Sequence, residues 1–354
     1  MSKGRSHEGT GHVPAQPVSR RQFIKRVACG SLVLGSAGTL LSACAAPVNP
    51  EAEGQAAAPP SENPSQLIPF PAEDGTWSLP GSNSGSIPAG PGEMQIANIG
   101  TFPFEASQVK TLRPDIFQPG HFSLFDILVH LSENRGIALD FHFDEQMDTH
   151  VIDAIDGHTG WWYEAYYSNG WYESNAFRMD MYPYKNDTTM RLDKTQGKRL
   201  NLIYDSFREE LGRLAGNGGK VIIPELTVRT YEGERVFQGV EVTAHNVRSD
   251  VLKPGNVTAL DALLSLAERG DLSQIGLTWH ERIGQADPVD SYWVSQIDEA
   301  RADGGCGFVY ETGPLAFSGF GGTHIHIPSD TRITLSPEYA LWFWICLGRG
   351  RVGF

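Results

Sequence analysis

Cysteine is scarce in this chain: four residues in 354, at Cys29, Cys44, Cys306 and Cys346. None forms a C-x-x-C pair, which excludes a zinc ribbon, a cysteine-held iron–sulfur cluster and C-x-x-C-H haem attachment. Nucleophile and phosphate motifs are missing too. There is no G-x-S-x-G, no H-E-x-x-H, no EF-hand loop, no P-loop and no glycine fingerprint opening a helix. Positive charge is short: 28 Lys and Arg stand against 42 Asp and Glu, a formal charge of −14. Such a balance argues against nucleic acid, whose phosphates are neutralised by Lys and Arg. The weakly apolar run from Val27 to Leu41, rich in Gly, Ser and Ala, is too short to span a bilayer.

What is present begins at the N-terminus. Ser19-Arg20-Arg21-Gln22-Phe23-Ile24-Lys25 resembles a twin-arginine export signal, carried by Arg20, Arg21 and Phe23. Leu41-Ser42-Ala43-Cys44 resembles a lipobox, the processing site of bacterial lipoproteins. Together they imply that the chain crosses the membrane folded and loses residues 1–43. Lipid on Cys44 then holds it on the outer face of the cytoplasmic membrane or in the cell envelope. The plain alternative is an N-terminal anchor helix that is never cleaved. Cleavage would remove six basic residues and Glu8, leaving a mature charge of −19. Lipid, not surface charge, would then be the membrane contact. An oxidising compartment favours a disulfide between Cys306 and Cys346, against two separately buried thiols.

Residues 44–95 read as a lipidated tether rich in Pro, Gly, Ser and Ala, with no apolar period. Beyond it the sequence repeats itself. Asp115 through Glu133, with Pro119-Gly120, Ser123, Asp126, Leu128 and Leu131, matches Asp250 through Glu268, with Pro254-Gly255, Thr258, Asp261, Leu263 and Leu266. Later blocks follow in the same order. Ile155-Asp156 matches Ile297-Asp298, and Gly160–Glu164 matches Gly307–Glu311. Asp187-Thr188 and Leu192 match Asp330-Thr331 and Leu335.

In each copy the repeat predicts a Pro-Gly turn and an N-cap at Ser123 or Thr258. A capping carboxylate follows at Asp126 or Asp261, then an amphipathic helix. Strand-like runs flank the helices at Val221–Val228, Val236–Val242, Ile137–Phe143, Trp161–Tyr167 and Ile325–Leu335. Apolar residues at Leu200, Ile203, Phe207, Leu211 and Leu214 predict a connecting helix. The fold class expected is α+β, one helix over a short mixed sheet in each copy.

The first copy resembles the C-terminal module of transcobalamin and intrinsic factor, and the bacterial domain family related to it. The residues that carry the likeness are Pro119-Gly120, Ser123–Leu128, Val151–Gly157, Trp161-Trp162, Ser168-Asn169-Gly170 and the Asp187 turn. Asn186-Asp187 stands where that family usually has Gly-Asp, and the second copy departs further, with Glu299 in place of a glycine. The resemblance implies two β-grasp-like modules, at 96–195 and, more divergent, at 219–354, joined by a helix within 196–218. In the cobalamin carriers such a module covers one face of the corrinoid, so corrinoid binding is one implied function.

Several side chains could carry chemistry. His142 and Asp144 lie two apart on a predicted strand, in a stretch dense in Asp, Glu and His that reads either as a metal site or as a solvated acidic loop. His324 and His326 repeat the spacing, for a metal or haem iron or as exposed edge residues. Trp161, Trp162, Tyr163 and Trp171 belong to an aromatic run suited either to ligand stacking or to burial on a sheet, with Trp161 and Tyr163 on one face and Trp162 on the other. No sequence feature demands a cofactor; corrinoid, haem and metal all stay open. The reading is binding rather than catalysis: an exported, membrane-anchored protein for a small ligand or an exported protein partner. The alternative is a cofactor- or metal-containing accessory subunit of an exported redox enzyme.

Overall fold

The computed structural model describes residues 84–165, 176–281, 289–303, 306–318 and 328–346, and the backbone alone of 66–69, 166–167, 172–173 and 324–325. The chain divides into two units, Met1–Ala56 and Ala57–Phe354, and every described residue belongs to the second. The twin-arginine-like segment at Arg20, Arg21 and Phe23 and the lipobox-like segment ending at Cys44 lie outside the described residues.

The N-terminal half follows strand β1 (Gln66–Pro69). It holds β2 (Pro91–Ile96), β3 (Gly100–Glu105), helix α1 (Leu124–Arg135), β4 (Leu139–Asp144), β5 (Thr149–Ile155), β6 (Trp161–Tyr167), β7 (Tyr172–Glu173) and β8 (Thr188–Lys194). Helix α2 (Gly197–Gly216) connects it to the C-terminal half. That half holds β9 (Val221–Arg229), β10 (Glu234–Val242), helix α3 (Ala259–Glu268), β11 (Gln274–His280), β12 (Ser291–Ile297), β13 (Ala300–Arg301), β14 (Cys306–Gly313), β15 (His324–Ile325) and β16 (Tyr339–Cys346). The fold is α+β, with three α-helices and several small sheets among the described residues.

The two halves share one wiring. The first five-stranded sheet has the order β3-β2-β8-β6-β7 and the second β10-β9-β16-β14-β15. In each, the first strand of the half pairs parallel with the last long strand, and every other pairing is antiparallel. Each half also has a separate hairpin, β4–β5 and β11–β12, and both hairpins carry an irregularity at one place, between Asp140 and Phe141 and between Gly276 and Leu277. Ile155-Asp156 and Ile297-Asp298 end the two hairpins alike, with both aspartates at positive φ and with Asp156 Oδ1 accepting from Ala138 N and Asp298 Oδ1 from Ser273 N.

Helix placement follows from the caps. Ser123 and Asp126 form a capping box: the Ser123 hydroxyl accepts from Asp126 N, and Asp126 accepts from Ser123 N at 2.7 Å. Asp261 likewise accepts from Thr258 N at 2.6 Å and from its hydroxyl at 2.8 Å. Both carboxylates are buried and each accepts one further backbone N–H, from Leu112 and His245 respectively. They are helix-capping groups with all their acceptor capacity engaged in structure. Leu124, Ile127, Leu128 and Leu131 of α1 then pack on Met94, Ile96, Trp161, Tyr163 and Leu192. Leu260, Leu263, Leu264 and Ala267 of α3 pack on Val228, Phe308, Tyr310 and Trp342.

The halves meet through the residues just before their Pro-Gly turns. Phe117 pairs antiparallel with Leu252. Gln118 N donates to Val251 O at 2.9 Å and Lys253 N donates to Ile116 O at 2.7 Å. Ile116, Phe117 and Gln118 are the repeat counterparts of Val251, Leu252 and Lys253, so each half offers the other the same segment. That is the arrangement of a two-fold interface within one chain.

Three expectations need correction. The tether of residues 44–95 contains structure: Gln66–Pro69 pairs antiparallel with β11, and Pro91–Ile96 is the inner strand of the first sheet. For Gln66–Pro69 the reason is that a bare strand edge supplies hydrogen-bond partners to a segment with no apolar period of its own; Pro91–Ile96 instead alternates and buries Met94 and Ile96 in the core. Of the run Ile325–Leu335, Ile325 belongs to β15 and residues 328–335 hold only an isolated bridge at Ile333; the closing strand is β16, eight residues from Tyr339. The repeat register slips there as well. Leu124 N donates to Tyr182 O, and Ala259 N to Arg332 O, so the counterpart of Asp330 is Asp180 rather than Asp187. Leu192 faces Tyr163 as Trp342 faces Tyr310, which makes Trp342 its counterpart rather than Leu335.

Candidate binding surface

The residues that distinguish the halves cluster around the two hairpins. Each half buries an arginine against an aspartate. In the N-terminal half Arg113 Nη1 lies 3.2 Å from Asp180 Oδ2, which is fully buried. Thr149 Oγ1 donates to Asp180 at 2.6 Å, as does the His150 backbone N–H at 2.9 Å. His150 Nδ1 lies 2.9 Å from Asp180. Arg113 also engages Asp115 at 2.8 Å and Asp148 at 3.0 Å. In the C-terminal half Arg248 Nη1 lies 3.0 Å from Asp330 Oδ2, Tyr292 N donates to Asp330 at 2.9 Å, and the Ser291 hydroxyl donates to it as well. Arg248 engages Asp250 at 3.0 Å and donates to Asp290 O.

Electrostatics follow from this packing. Burial by itself would raise the Asp180 carboxyl, but the hydrogen bond from His150, the Arg113 charge and the Thr149 hydroxyl outweigh it and hold it below the usual carboxylate range. Asp115 and Asp250 are likewise held low: burial pushes up, and the bonds from Arg113 and Arg248 prevail. Asp148 goes the other way, raised by burial and by the neighbouring charges of Asp180 and Asp115. Because the Arg–Asp–hydroxyl network occurs in both halves, we read it as architecture: it fastens the hairpin to the segment before the turn.

Two differences remain once the halves are matched. The first is what covers the hairpin edge. Phe141 and Phe143 are the counterparts of Leu277 and Trp279. Phe143 meets His150 edge-on at 5.0 Å, as Trp279 meets Tyr292 at 5.0 Å. Arg113 lies over Phe143 as Arg248 lies over Trp279. Yet Leu277 and Trp279 are 1% and 6% exposed, whereas Phe141 and Phe143 are 37% and 43% exposed. Strand β1 pairs with β11 along Gln274–Leu277; β4 has only β5 as a partner among the described residues.

The second difference lies beside the arginines. In the C-terminal half Gly85 N donates to Asp250 at 2.7 Å, and Ser86 donates to Asp290 through its backbone at 3.1 Å and its hydroxyl at 2.8 Å. The counterparts Asp115 and Asp148 receive Arg113. Among the described residues no segment corresponding to Gly85–Ser86 lies on them.

The residues singled out from sequence fall elsewhere. Trp161 and Tyr163 are core, 1% and 2% exposed, with Trp161 Nε1 donating to His158 O and the Tyr163 hydroxyl to Phe177 O. They cannot stack on a ligand; sheet alternation turned them inward, the same face that α1 covers. Trp162 is on the opposite face, as expected, and packs against Tyr204 and Phe207 of α2. Trp171 and His326 lie outside the described residues, as does the side chain of His324. His142 and Asp144 do not converge. His142 pairs with Asp153 at 2.8 Å on the surface, while Asp144 Oδ1 accepts from Gln146 N. Asp148 and His150 are drawn into the Arg113 network. Among the described residues no group of three metal-ligand side chains comes together. Cys306 and Cys346 are joined in a disulfide between β14 and β16.

Arg113, Asp180, Phe141 and Phe143 were not anticipated from sequence. The signal for the arginines was present: Arg113-Pro114-Asp115 and Arg248-Ser249-Asp250 extend the repeat two residues upstream at the same offset. No protein-family model, curated protein or solved structure matches this chain.

Proposed function

We propose that this chain is an exported, lipid-anchored binding protein built from two β-grasp-like modules, and that its N-terminal module engages a protein partner through the open hairpin β4–β5. The twin-arginine motif at Arg20-Arg21 and the lipobox ending at Cys44 support the location. One observation carries the binding reading: two matched hairpins differ in cover, and the uncovered one exposes Phe141 and Phe143. Exposed aromatics grouped beside a polar network mark interaction surfaces more often than chance burial failures. A small-ligand reading loses support, because Trp161 and Tyr163 are committed to the core.

The test is site-specific photo-crosslinking in the producing cell. A photoreactive residue at position 141 should give a discrete protein adduct; the same residue at Leu202, similarly exposed on α2, should not. No adduct at 141, or identical adducts at both, overturns the partner reading. Location is tested separately. Cys44→Ser should release the protein from membranes, and Arg20→Lys with Arg21→Lys should block or greatly slow export.

A further inference from the structure

We infer that the open edge of β4 is a strand-addition site, which takes an extended aliphatic segment of a partner chain whose downstream Gly-Ser pair binds Asp115 and Asp148. The inference rests on the partner reading above and specifies its chemistry.

The molecule already contains the occupied version of this site. Strand β1 lies antiparallel on β11, with Leu67 opposite Gly276 and Ile68 opposite Ile275. Further along the sequence, Gly85 and Ser86 lie beside the arginine of the same module and donate to Asp250 and Asp290. On β4 the matching positions are Leu139 and Asp140, next to the same ladder irregularity. The matching acceptors are Asp115, whose side chain is 60% exposed against 17% for Asp250, and Asp148. Edge, aromatic wall and acceptors are therefore in place, although Asp148 Oδ1 also receives Arg113 Nη2 at 3.0 Å, whereas Arg248 reaches Asp290 through its backbone oxygen.

An unpaired edge offers N–H and C=O groups to any extended backbone, so side chains must select the occupant. Phe141 and Phe143 favour an aliphatic strand. Asp140 and Asp144 at the two ends of β4 disfavour an acidic one. Beside the arginine the residue must be glycine. A Cβ on Gly85 would come 2.7 Å from Arg248 Nη2, and Arg113 holds the corresponding position. A hydroxyl residue next to it supplies the second donor. The chain's own segment cannot serve both modules at once, since in each molecule it occupies β11. The occupant is accordingly a different chain.

The probe is a synthetic peptide of this protein's residues 64–88, which carries the aliphatic run and the Gly-Ser pair in their native spacing. Intact mature protein should bind one peptide saturably while remaining monomeric. Phe141→Asp with Phe143→Asp, both at exposed positions, should weaken binding at least about tenfold. A peptide with Gly85→Ala should lose a similar factor. Asp115→Asn with Asp148→Asn should also weaken it, with the thermal melt checking that the module stays folded. Three results overturn the inference: no saturable binding; binding indifferent to Phe141, Phe143 and the glycine; or a concentration-dependent dimer abolished by the same substitutions, which would make a second copy the occupant. Persistence of the position-141 crosslink without peptide binding would sink strand addition and spare the partner reading. Loss of both would sink the two together.

Discussion

Arg113 and Arg248 fasten equivalent hairpins with unequal reserves. Arg113 keeps Asp115 and Asp148 if Asp180 is neutralised, whereas Arg248 keeps one carboxylate, Asp250, if Asp330 is neutralised. A buried charge left short of partners is expensive, typically about 3–5 kcal/mol when one member of a buried pair is removed. Asp330→Asn is therefore expected near the top of that range and Asp180→Asn below it, read from urea unfolding midpoints at constant slope. Equal losses would mean that the exposed carboxylates contribute nothing.

The histidines add a pH dependence with a definite sign. His121 is held below its usual pKa by burial, with Arg248 and Lys185 acting in the same direction and Asp250 against; His280 is lowered by burial alone. A histidine with a depressed folded pKa binds fewer protons folded than unfolded. Its penalty is absent above the unfolded value of about 6.5 and grows as pH falls toward the folded one. Stability should thus decline as pH falls below about 6.5, and His121→Gln with His280→Gln should flatten that decline. Asp115, Asp180 and Asp250, held low in the fold, predict a second loss below about pH 4.

At the scale of elements, the caps decide where the helices begin. Ser123→Ala removes the acceptor for Asp126 N and a donor to the Asp126 carboxylate, which burial already raises above the usual carboxylate range. The expected cost is about 1–2 kcal/mol, measured as a fall in unfolding free energy. A change below a few tenths would show that the cap's two backbone bonds suffice. These helices were legible from sequence because cap, carboxylate and apolar spacing all pointed to the same residues. Strands β9 and β10 were legible for a similar reason, being long and rich in β-branched residues. The run Ile325–Leu335 misled: its apolar residues are spaced like a strand, but Asp330 is spent on the buried Arg248 pair and Ile333 makes a single bridge to Thr258 instead of a ladder. Strand β1 was illegible, since four residues flanked by proline and serine carry no period and pair only because β11 offers an edge.

For the whole molecule, the disulfide between Cys306 and Cys346 closes a span of 40 residues. Restricting the unfolded chain over a loop of that size stabilises by about 4 kcal/mol in the chain-entropy account. Unfolded mature protein should show no free thiol without reductant, and Cys306→Ser with Cys346→Ser should lower the melting temperature by about 10 °C. Two titratable thiols in unreduced protein would remove the bond. The same scale explains why the exposed pair Phe141 and Phe143 escaped a reading from sequence. Trp161 and Phe141 look alike as residues in aromatic strands, and both lie against α1; Trp161 is buried there, whereas Phe141 meets Phe125 at 5.3 Å and stays 37% exposed on a strand that only β5 pairs among the described residues.

Sequence by itself determined the elements and their repetition, because caps, turns and apolar periods act over a few residues and are written where they act. The twin-arginine-like and lipobox-like strings are likewise read directly from the sequence, and the export they would serve is part of the proposal. Tertiary structure decided the rest. It placed Asp180 and not Asp187 opposite Arg113, set Trp161 in a core, and paired one of two matched hairpins with β1 while, among the described residues, its twin has no such strand. Those outcomes depend on which segments meet, whether 67 residues apart, as for Arg113 and Asp180, or across most of the described chain, as for β1 and β11. A local pattern cannot encode such a meeting, because the energy of burying a face depends on what arrives to cover it.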